Sequence, residues 1–186
     1  GNPPNHVTIL PFTRMLSGPM DYTPGVLDVE IKQGYAGRRV HGTTAQQLAL
    51  YVTFYSPIQM LADLPENYEG KPEFKFLKEV PTDWEDTKVL NGEIGEYLTT
   101  VRKDQNSADW YLGSITNEKS RDLEISLSFL DPNVTYEAQI YADAPGTNET
   151  HNPSAVVISK KTVKASDSLK LQLGGAGGTA IRFKKM

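Results

Sequence analysis

Residues 6–25 read HVTILPFTRMLSGPMDYTPG, an apolar run followed by a loop dense in glycine and proline. The stretch carries one arginine, Arg14, and one aspartate, Asp21. Apolar strands followed by such loops are typical of α/β barrels, whose functional residues lie on the loops after the strands. We therefore predict a buried strand in the first half of residues 7–16 and a loop over residues 17–25. No other such unit precedes it, so we expect the last part of a larger barrel.

A helix follows this loop. Thr43 and Thr44 offer side-chain oxygens to the free N–H groups of its first turn, and apolar residues then recur with helical spacing. These residues are Ala45, Leu48, Ala49, Val52 and Tyr55. At Pro57 the helix is expected either to kink or to end and restart, running on through Leu61. Its apolar face needs cover, from the rest of a barrel or from the outside of a neighbouring domain. A second short helix is predicted over residues 73–78.

After Pro81 the apolar residues recur with a period of two, the pattern of half-buried antiparallel strands. The predicted strands lie near residues 123–129, 136–142 and 168–173, with weaker ones at 87–90, 95–103, 108–115, 155–162 and 179–184. About eight short strands with frequent turns indicate a β-sandwich. We therefore predict a mainly β fold. A C-terminal antiparallel β-sandwich over residues 67–186 is preceded, over residues 1–66, by a strand–loop–helix remnant of a (β/α)8 barrel.

The composition of the chain excludes some classes of partner and some kinds of chemistry. The chain has 186 residues, a formal net charge of −4 and no cysteine. Nucleic acids and acidic lipids favour concentrated basic patches. The basic residues of this chain are scattered, so we expect neither a nucleic-acid partner nor a membrane partner. The missing cysteines exclude disulfides and thiolate chemistry. No apolar run approaches the roughly 20 residues that a membrane-spanning helix requires.

Several segments together resemble one enzyme family. They are LPFTR at 10–14, GPMDYTPG at 18–25, TAQQLALYV at 44–52, SPIQMLAD at 56–63, VPTDW at 80–84, DWYLG at 109–113 and the strand at 136–143. In this order and spacing the chain resembles glycoside hydrolase family 97, bacterial α-glucosidases and α-galactosidases. The first two segments are the specific part, and the resemblance spans nearly the whole chain.

The resemblance implies an enzyme of three parts: an N-terminal β-supersandwich, a (β/α)8 barrel and a C-terminal β-sandwich. This chain would be the end of the barrel plus the last domain. The catalytic carboxylates and the calcium-binding glutamates would lie upstream of LPFTR, so the chain would be non-catalytic and would support the barrel. The implied substrate of the parent enzyme is an α-linked oligosaccharide, a glucoside or a galactoside. Calcium in the parent enzyme, but not in this chain, and a periplasmic location in Bacteroidetes-like bacteria are also implied.

Asp21 and Arg14 are the candidate substrate-binding residues. Glycoside hydrolysis requires two carboxyl groups that flank the scissile bond, and Asp21 is the best-placed carboxylate of the loop. A loop-shaping aspartate is the simpler interpretation. Arg14 would hold a sugar hydroxyl or, more simply, form a structural salt bridge. We assign no catalytic residue, because the resemblance puts the catalytic carboxylates upstream of this chain. We assign no metal ligand, since His6, His41 and His151 are too scattered for a zinc site.

A carbohydrate-binding β-sandwich module is the alternative function. Such modules stack sugars on exposed aromatic rings, and Trp84, Trp110 and Tyr111 are the candidates. Because neighbours on a strand point to opposite faces, we expect at most one of Trp110 and Tyr111 in the core. The glycine cluster 174–178 lacks the lysine and hydroxyl residue of a phosphate loop and is interpreted as a hairpin turn. The acidic residues at 83–86 are interpreted as a solvated turn.

The N-terminal segment carries an apolar surface that a barrel would cover. Without that cover, the apolar face of the helix and the side chains of Ile9, Leu10, Phe12 and Met15 would be exposed. Large exposed apolar patches mark interaction sites. We therefore expect this barrel-remnant surface either to form a homo-oligomer or to pack onto the sandwich in a non-native way.

Overall fold

The computed structural model describes residues 2–31 and 39–186. Its helices are α1 (Asn5–Ile9), α2 (Thr44–Thr53), α3 (Pro65–Tyr68) and α4 (Phe74–Glu79), with 3-10 turns at Leu10–Phe12 and Arg14–Ser17. Its strands are β1 (Trp84–Glu93), β2 (Tyr97–Asp104), β3 (Trp110–Thr116), β4 (Arg121–Ser126), β5 (Tyr136–Asp143), β6 (Val156–Val163), β7 (Ser168–Leu173) and β8 (Gly178–Lys185). Within these ranges no helix has both the length and the hydropathy needed to cross a membrane.

The strands form two antiparallel sheets. The larger sheet has the order β1-β2-β3-β8-β5-β6, and the smaller one pairs β4 with β7. All eight predicted strands are present, so the predicted antiparallel β-sandwich is confirmed. The alternation that revealed them is clearest in β7, where exposed and buried residues follow each other without a break. A strand that covers a core with one face and meets water with the other keeps this pattern.

The six-stranded sheet is covered on both faces. The side chains on one face, which pack against the two-stranded sheet, include Leu112, Ile181 and Phe183. Those on the other face, which pack against the helices, include Tyr111, Ile115 and Ala180. Because successive residues point to opposite faces, every residue of β3 is buried. The molecule therefore has three layers, and we call the described residues before β1 the helical layer.

Two glycines let α2 lie directly on the sheet. A Cβ atom at Gly113 would lie 2.5 Å from the carbonyl oxygen of Ala49, and one at Gly178 would lie 2.7 Å from the Cα of Gln46. Both obstacles are backbone atoms of α2, so no side-chain rotation would relieve them. Gly113 and Gly178 thus set the distance between α2 and the sheet.

Two local predictions for the N-terminal part are wrong. The residues predicted as a strand form α1 and a 3-10 turn instead. Pro11, which has no N–H for strand pairing, occupies the first turn of that 3-10 helix, where proline is tolerated. The second helix, α2, ends at Thr53 and does not run past Pro57, since Phe54 is already extended and the residue before a proline avoids the helical region.

Two further predictions concern the helices. The short helix predicted over residues 73–78 is confirmed as α4. Every residue of α2 is buried. Of the two covers expected for its apolar face, the outside of the sandwich is confirmed, since the six-stranded sheet covers it, and the expected exposure of this face is therefore wrong. The division of the chain into residues 1–66 and 67–186 stays a prediction.

Candidate functional site

Side chains of α2 and α3 form hydrogen bonds with the end of the loop that carries Asp21. The Tyr51 hydroxyl donates to the carbonyl of Pro24 at 3.0 Å, and the Tyr68 hydroxyl donates to the carbonyl of Gly25 at 2.9 Å. The N–H of Gly25 donates to Oε1 of Gln47 at 3.1 Å. Gly25 has a φ of +100°, and a Cβ there would lie 2.4 Å from the Tyr51 hydroxyl. Only glycine fits this position.

Burial raises the pKa of Tyr51 and also that of Tyr68. Both phenols therefore remain protonated donors at neutral pH, and their role is to fix the loop. The loop end at Pro24 and Gly25 is thus fixed relative to α2, while Asp21 and Thr23 before it are exposed.

Asp21 and Arg14 both lie on the exposed side of this segment. The Nη2 of Arg14 is 3.5 Å from the carbonyl oxygen of Pro19. Among the described residues neither side chain has an ion-pair partner within reach. The structure therefore leaves both candidates exposed and does not join them, and their substrate-binding roles stay predictions.

A cavity of about 230 Å³ lies beside α1 and the start of α2. Its lining residues include His6, Tyr22, Arg39, His41 and Gln46. His6 and His41 stand far apart in the sequence, and their spacing gave no sign that they share a cavity. The fold brings them together because α1 packs beside α2.

The cavity wall is polar and partly unsatisfied. His6 Nδ1, two guanidinium nitrogens of Arg39 and Oε1 of Gln46 are buried with no hydrogen-bond partner among the described residues. The Nδ1 of His41 lies 3.4 Å from Oε2 of Glu149. Such a wall suits the hydroxyl or carboxylate groups of a further segment or ligand. Its described lining contains no aspartate or glutamate, so it lacks the carboxyl pair that glycoside hydrolysis requires.

Asp143, at the end of β5, organises the glycine-rich turn 174–178. Its Oδ2 accepts the N–H groups of Gly174 and Gly178, each at 2.9 Å. Burial raises the pKa of Asp143 to about 6, although the Thr43 hydroxyl and both glycine N–H groups favour the ionised form. The sequence did not single out Asp143; its place at a strand end before Pro145 was the available signal. The glycine cluster is a turn as predicted, but it leads from the small sheet to the large one and closes no hairpin.

The aromatic candidates for sugar stacking are buried or half-buried. Trp110 and Tyr111 are both buried, at 3% and 2% exposure. The expectation that only one of them lies in the core is therefore wrong, because the sheet is covered on both faces. Trp84 is half-buried and packs edge-on against Tyr111, with ring centroids 5.7 Å apart.

The acidic residues near the start of β1 form surface ion pairs. Glu85 contacts Lys103 at 2.8 Å and Asp86 contacts Lys88 at 3.3 Å. Across the described ranges, no three histidine, aspartate or glutamate side chains are grouped so that they could hold a metal ion. The residues present thus do not fit the calcium site that the sequence resemblance implies for a parent enzyme.

Comparison with known proteins gives one family match and several relatives. Residues 83–184 match the family described as glycosyl-hydrolase 97 C-terminal, oligomerisation. A Bacteroides thetaiotaomicron protein named retaining alpha-galactosidase is 38% identical over 181 residues, which are 95% of this chain and 27% of that protein. A Streptomyces bingchenggensis protein named probable retaining alpha-galactosidase is 29% identical over 180 residues, 96% of this chain and 26% of that protein. The chain thus spans about a quarter of the length of these curated relatives.

Solved structures agree with the family match. A glycoside hydrolase family 97 enzyme from Pseudoalteromonas sp. strain K8, in complex with panose, matches 100% of this chain and 29% of its own. The TM-score is 0.95 and the sequence identity 48%. The same enzyme in complex with acarbose matches equally well. A beta-arabinopyranosidase, at 22% identity and a TM-score of 0.78, shares the fold over 96% of this chain and 27% of its own.

Proposed function

Since the chain belongs to the glycoside hydrolase 97 C-terminal family, as its sequence resemblance implied, we propose that it supports the catalytic barrel of an α-galactosidase or α-glucosidase. On this proposal the chain itself is non-catalytic. The names of the curated relatives favour α-galactosides, and the panose and acarbose complexes of the Pseudoalteromonas enzyme favour α-linked glucose oligosaccharides. Both substrate classes belong to the parent enzyme.

One observation carries this role. Four apolar side chains of the segment after α2 are exposed: Ile58 at 73%, Met60 at 46%, Leu61 at 41% and Leu64 at 62%. The segment runs beside the loop of Asp21, since Ala62 donates to Pro24 at 3.0 Å and Met20 donates to Tyr55 at 3.1 Å. Four large apolar side chains exposed within seven residues indicate a contact surface. We assign that surface to the barrel, so that Asp21 and Arg14 face the same neighbour.

The resemblance supplies two further proposals. We place the parent's calcium in the catalytic part, because the resemblance puts the calcium-binding glutamates upstream of LPFTR. We also propose a periplasmic location for the parent. The first is tested by calorimetric titration of this chain with calcium, where heat of binding would contradict it. The second is tested by fractionating cells that produce the full-length parent enzyme, where a purely cytosolic enzyme would contradict it.

The non-catalytic role is tested by hydrolysis of p-nitrophenyl α-glucoside and α-galactoside. The purified chain is expected to release no p-nitrophenol, with or without added calcium. Clear release would overturn the proposal, since the chain would then contain its own carboxylate pair. Asp21→Asn would be the first variant to make in that case.

The supporting role is tested in a hybrid enzyme. This chain replaces the corresponding segment of the Bacteroides thetaiotaomicron relative, and Ile58→Glu is compared with Val89→Glu. Val89 is the matched control, because it is also exposed, at 61%, but lies on β1 and not in the segment after α2. We expect Ile58→Glu to lower the yield of soluble, active hybrid at least tenfold and Val89→Glu to leave it unchanged. Equal behaviour of the two variants would remove the assigned barrel contact.

Homo-oligomerisation is the remaining part of the proposal. The family description includes oligomerisation, and the sequence suggested the barrel-remnant surface as the place. Less of that surface is exposed than the sequence suggested. The helix α2 is buried, and Ile9, Leu10, Phe12 and Met15 are half-buried. The exposed segment after α2 is assigned to the barrel, so little of the described barrel-remnant surface is left for a second copy. The carbohydrate-binding alternative gains no support, because its aromatic candidates are packed into the cores.

A further inference from the structure

The six-stranded sheet ends in two different edges. At one edge, β1 pairs with β2 through two register shifts, between Trp84 and Asp86 and between Val89 and Asn91. Bulges twist an edge strand and interrupt its free row of N–H and C=O groups, which protects it from pairing. At the other edge, β6 pairs with β5 in unbroken register from Val156 to Val163. The β6 edge therefore presents a regular template for a further strand.

The side chains of β6 are also unusually open. Six successive residues, 157–162, are exposed. They include Val157 at 45% and Ile158 at 40% exposure, one on each face of the sheet. Hydrophobic side chains on both faces of a regular edge strand are uncommon, because such an edge recruits other chains. The exposure of Val157 and Ile158 points to a partner strand, and Lys160 and Lys161, charges that discourage pairing of an edge, limit the registers in which that strand can lie.

The sequence of β6, VVISKKTV, is complementary to itself in one register. If a second β6 runs antiparallel with Ser159 opposite Ser159, then Ile158 lies opposite Lys160 and Val157 opposite Lys161. Each lysine stem then covers an apolar neighbour with its methylene groups, and no lysine faces a lysine. A register centred on Lys160 would instead place two like charges directly opposite, which destabilises a strand pair. Within the protomer, Lys160 is already paired with Glu137 at 3.1 Å.

We propose that β6 joins the β6 strand of a second copy about a two-fold axis at Ser159, so that two six-stranded sheets become one. This assignment rests on the proposed oligomerisation of the family, and it moves the contact from the N-terminal segment to an edge of the six-stranded sheet. The hydrogen-bonding groups of the edge supply affinity, and the alternation of valine, isoleucine and lysine fixes the register. The segment after α2 then stays free for the barrel.

A single cysteine tests the register directly, because the chain has no cysteine of its own. In the proposed pair the two Cα atoms at position 159 lie about 4.5–5.5 Å apart, within the range of a disulfide. Ser159→Cys is expected to form an interchain disulfide under mild oxidation, seen as a dimer in non-reducing electrophoresis. Thr162→Cys, exposed on the same strand, is the control. Its two copies would lie six residues apart in register, roughly 20 Å, and should not cross-link.

Sedimentation velocity over a concentration series tests the contact itself. Ile158→Lys places a lysine opposite Lys160 and should weaken self-association at least tenfold, whereas Val89→Lys on β1 should leave it unchanged. A monomeric wild-type chain, equal cross-linking of the two cysteine variants, or equal effects of the two lysine variants would overturn the proposal. None of these outcomes bears on substrate hydrolysis, so failure here is distinct from failure of the supporting role.

Discussion

The two faces of the six-stranded sheet are held by different kinds of contact. On the face toward the small sheet, the contact between the layers is a cluster of aliphatic and aromatic side chains from Val101 to Phe183, and the buried hydroxyls of Thr99 and Ser114 bond to each other within the sheet. On the helical face, polar side chains reach across the layer boundary. Arg102 Nε donates to the carbonyl of Val52 at 2.6 Å, and Gln46 Nε2 donates to the carbonyl of Thr116 at 3.2 Å.

The difference indicates how each outer layer is attached to the six-stranded sheet. An apolar interface tolerates small shifts and is lost only when the whole domain unfolds. A hydrogen bond is directional, so it fixes one position and is lost when either partner is removed. Burial lowers the pKa of Arg102 to about 10, which still leaves it charged at neutral pH. The helical layer is therefore attached at specific points, as expected of a layer that must present Asp21 and Ile58 in a fixed orientation.

The largest effect is expected in the apolar face. Phe183 is fully buried, and its ring packs edge-on against Phe129 with centroids 5.5 Å apart. Phe183→Ala should lower the free energy of unfolding by about 4 kcal/mol through lost transfer and a new cavity. The loss should appear as one cooperative transition in circular dichroism, because both layers depend on this core. If the helical layer unfolded before the two sheets in this variant, the proposed difference between the two faces would be contradicted.

A somewhat smaller, more local effect is expected on the helical face at Arg182. Its Nε donates to Asp109 at 2.9 Å and its Nη1 contacts Glu79 at 2.9 Å, which ties the end of α4 to β3 and β8. Burial opposes ionisation of Glu79, but hydrogen bonds from Lys75 and Arg182 hold the pKa of Glu79 below its usual value. Arg182→Met should cost about 2 kcal/mol, since it leaves Asp109 without its cation while Glu79 keeps Lys75, and solvent screens this partly exposed network.

Hydrogen exchange of α4 in Arg182→Met is the measurement, and Lys160→Met is the control, because its pair with Glu137 is exposed. The contribution of Glu79 is present above its unfolded pKa and is lost as the pH falls through its lower folded pKa. The cost of Arg182→Met should therefore shrink in acid. A cost that is constant down to strongly acidic pH would rule out this ion pair as the cause.

The apolar alternation of the sequence was enough to predict the β-sandwich. Each face of a strand such as β7 meets a single environment, so periodicity reports it. The same argument failed for β3, where Trp110 and Tyr111 are both buried. Periodicity cannot show that a helical layer covers the second face, because this cover comes from residues far away in the chain. The strand predicted in residues 7–16 failed for a related reason: a short apolar run does not distinguish a strand from a buried helical turn.

The candidate site was predictable only in part. The loop of Asp21 was located from its glycines and prolines, and Gly25 indeed has a positive φ. The cavity shared by His6 and His41 was not predictable, because the contact between α1 and α2 leaves no spacing rule in the sequence. The glycine cluster was recognised as a turn, but its partner Asp143 was missed, since one buried carboxylate has no motif.

Asp143 gives the third prediction, at the place where the glycine turn meets the helical layer. Because its folded pKa is raised to about 6, the folded state binds the proton more tightly than the unfolded chain does. Stability should therefore fall as the pH rises from about 4 to about 6, by roughly 2 kcal/mol, and stay low above that. Asp143→Asn keeps an oxygen for Gly174 and Gly178 but carries no charge. It should remove this slope, so that the variant is more stable than the wild type at pH 7 and equal to it near pH 4.

Urea unfolding between pH 4 and 7.5 measures this difference. Comparing the variant with the wild type cancels the other carboxylates, such as Glu79, whose contribution has the opposite sign. A variant less stable than the wild type at pH 7 would show that the hydrogen bonds of the charged carboxylate outweigh the cost of its burial.

The smallest effect is expected where α2 begins. Thr43 Oγ1 accepts the N–H of Gln46 at 3.1 Å, and the N–H of Thr43 donates to Ala176 in the glycine turn at 3.1 Å. Thr43→Ala removes the cap but keeps the backbone contact, so it should cost about 1 kcal/mol. Thr43→Ser retains the hydroxyl and should recover most of that loss. Hydrogen exchange should show the loss in the first turn of α2, while the amides of β7 keep their protection. Equal loss of protection in β7 would mean that the helical layer and the sandwich open together, and the distinction between a point-attached layer and an apolar core would have to be abandoned.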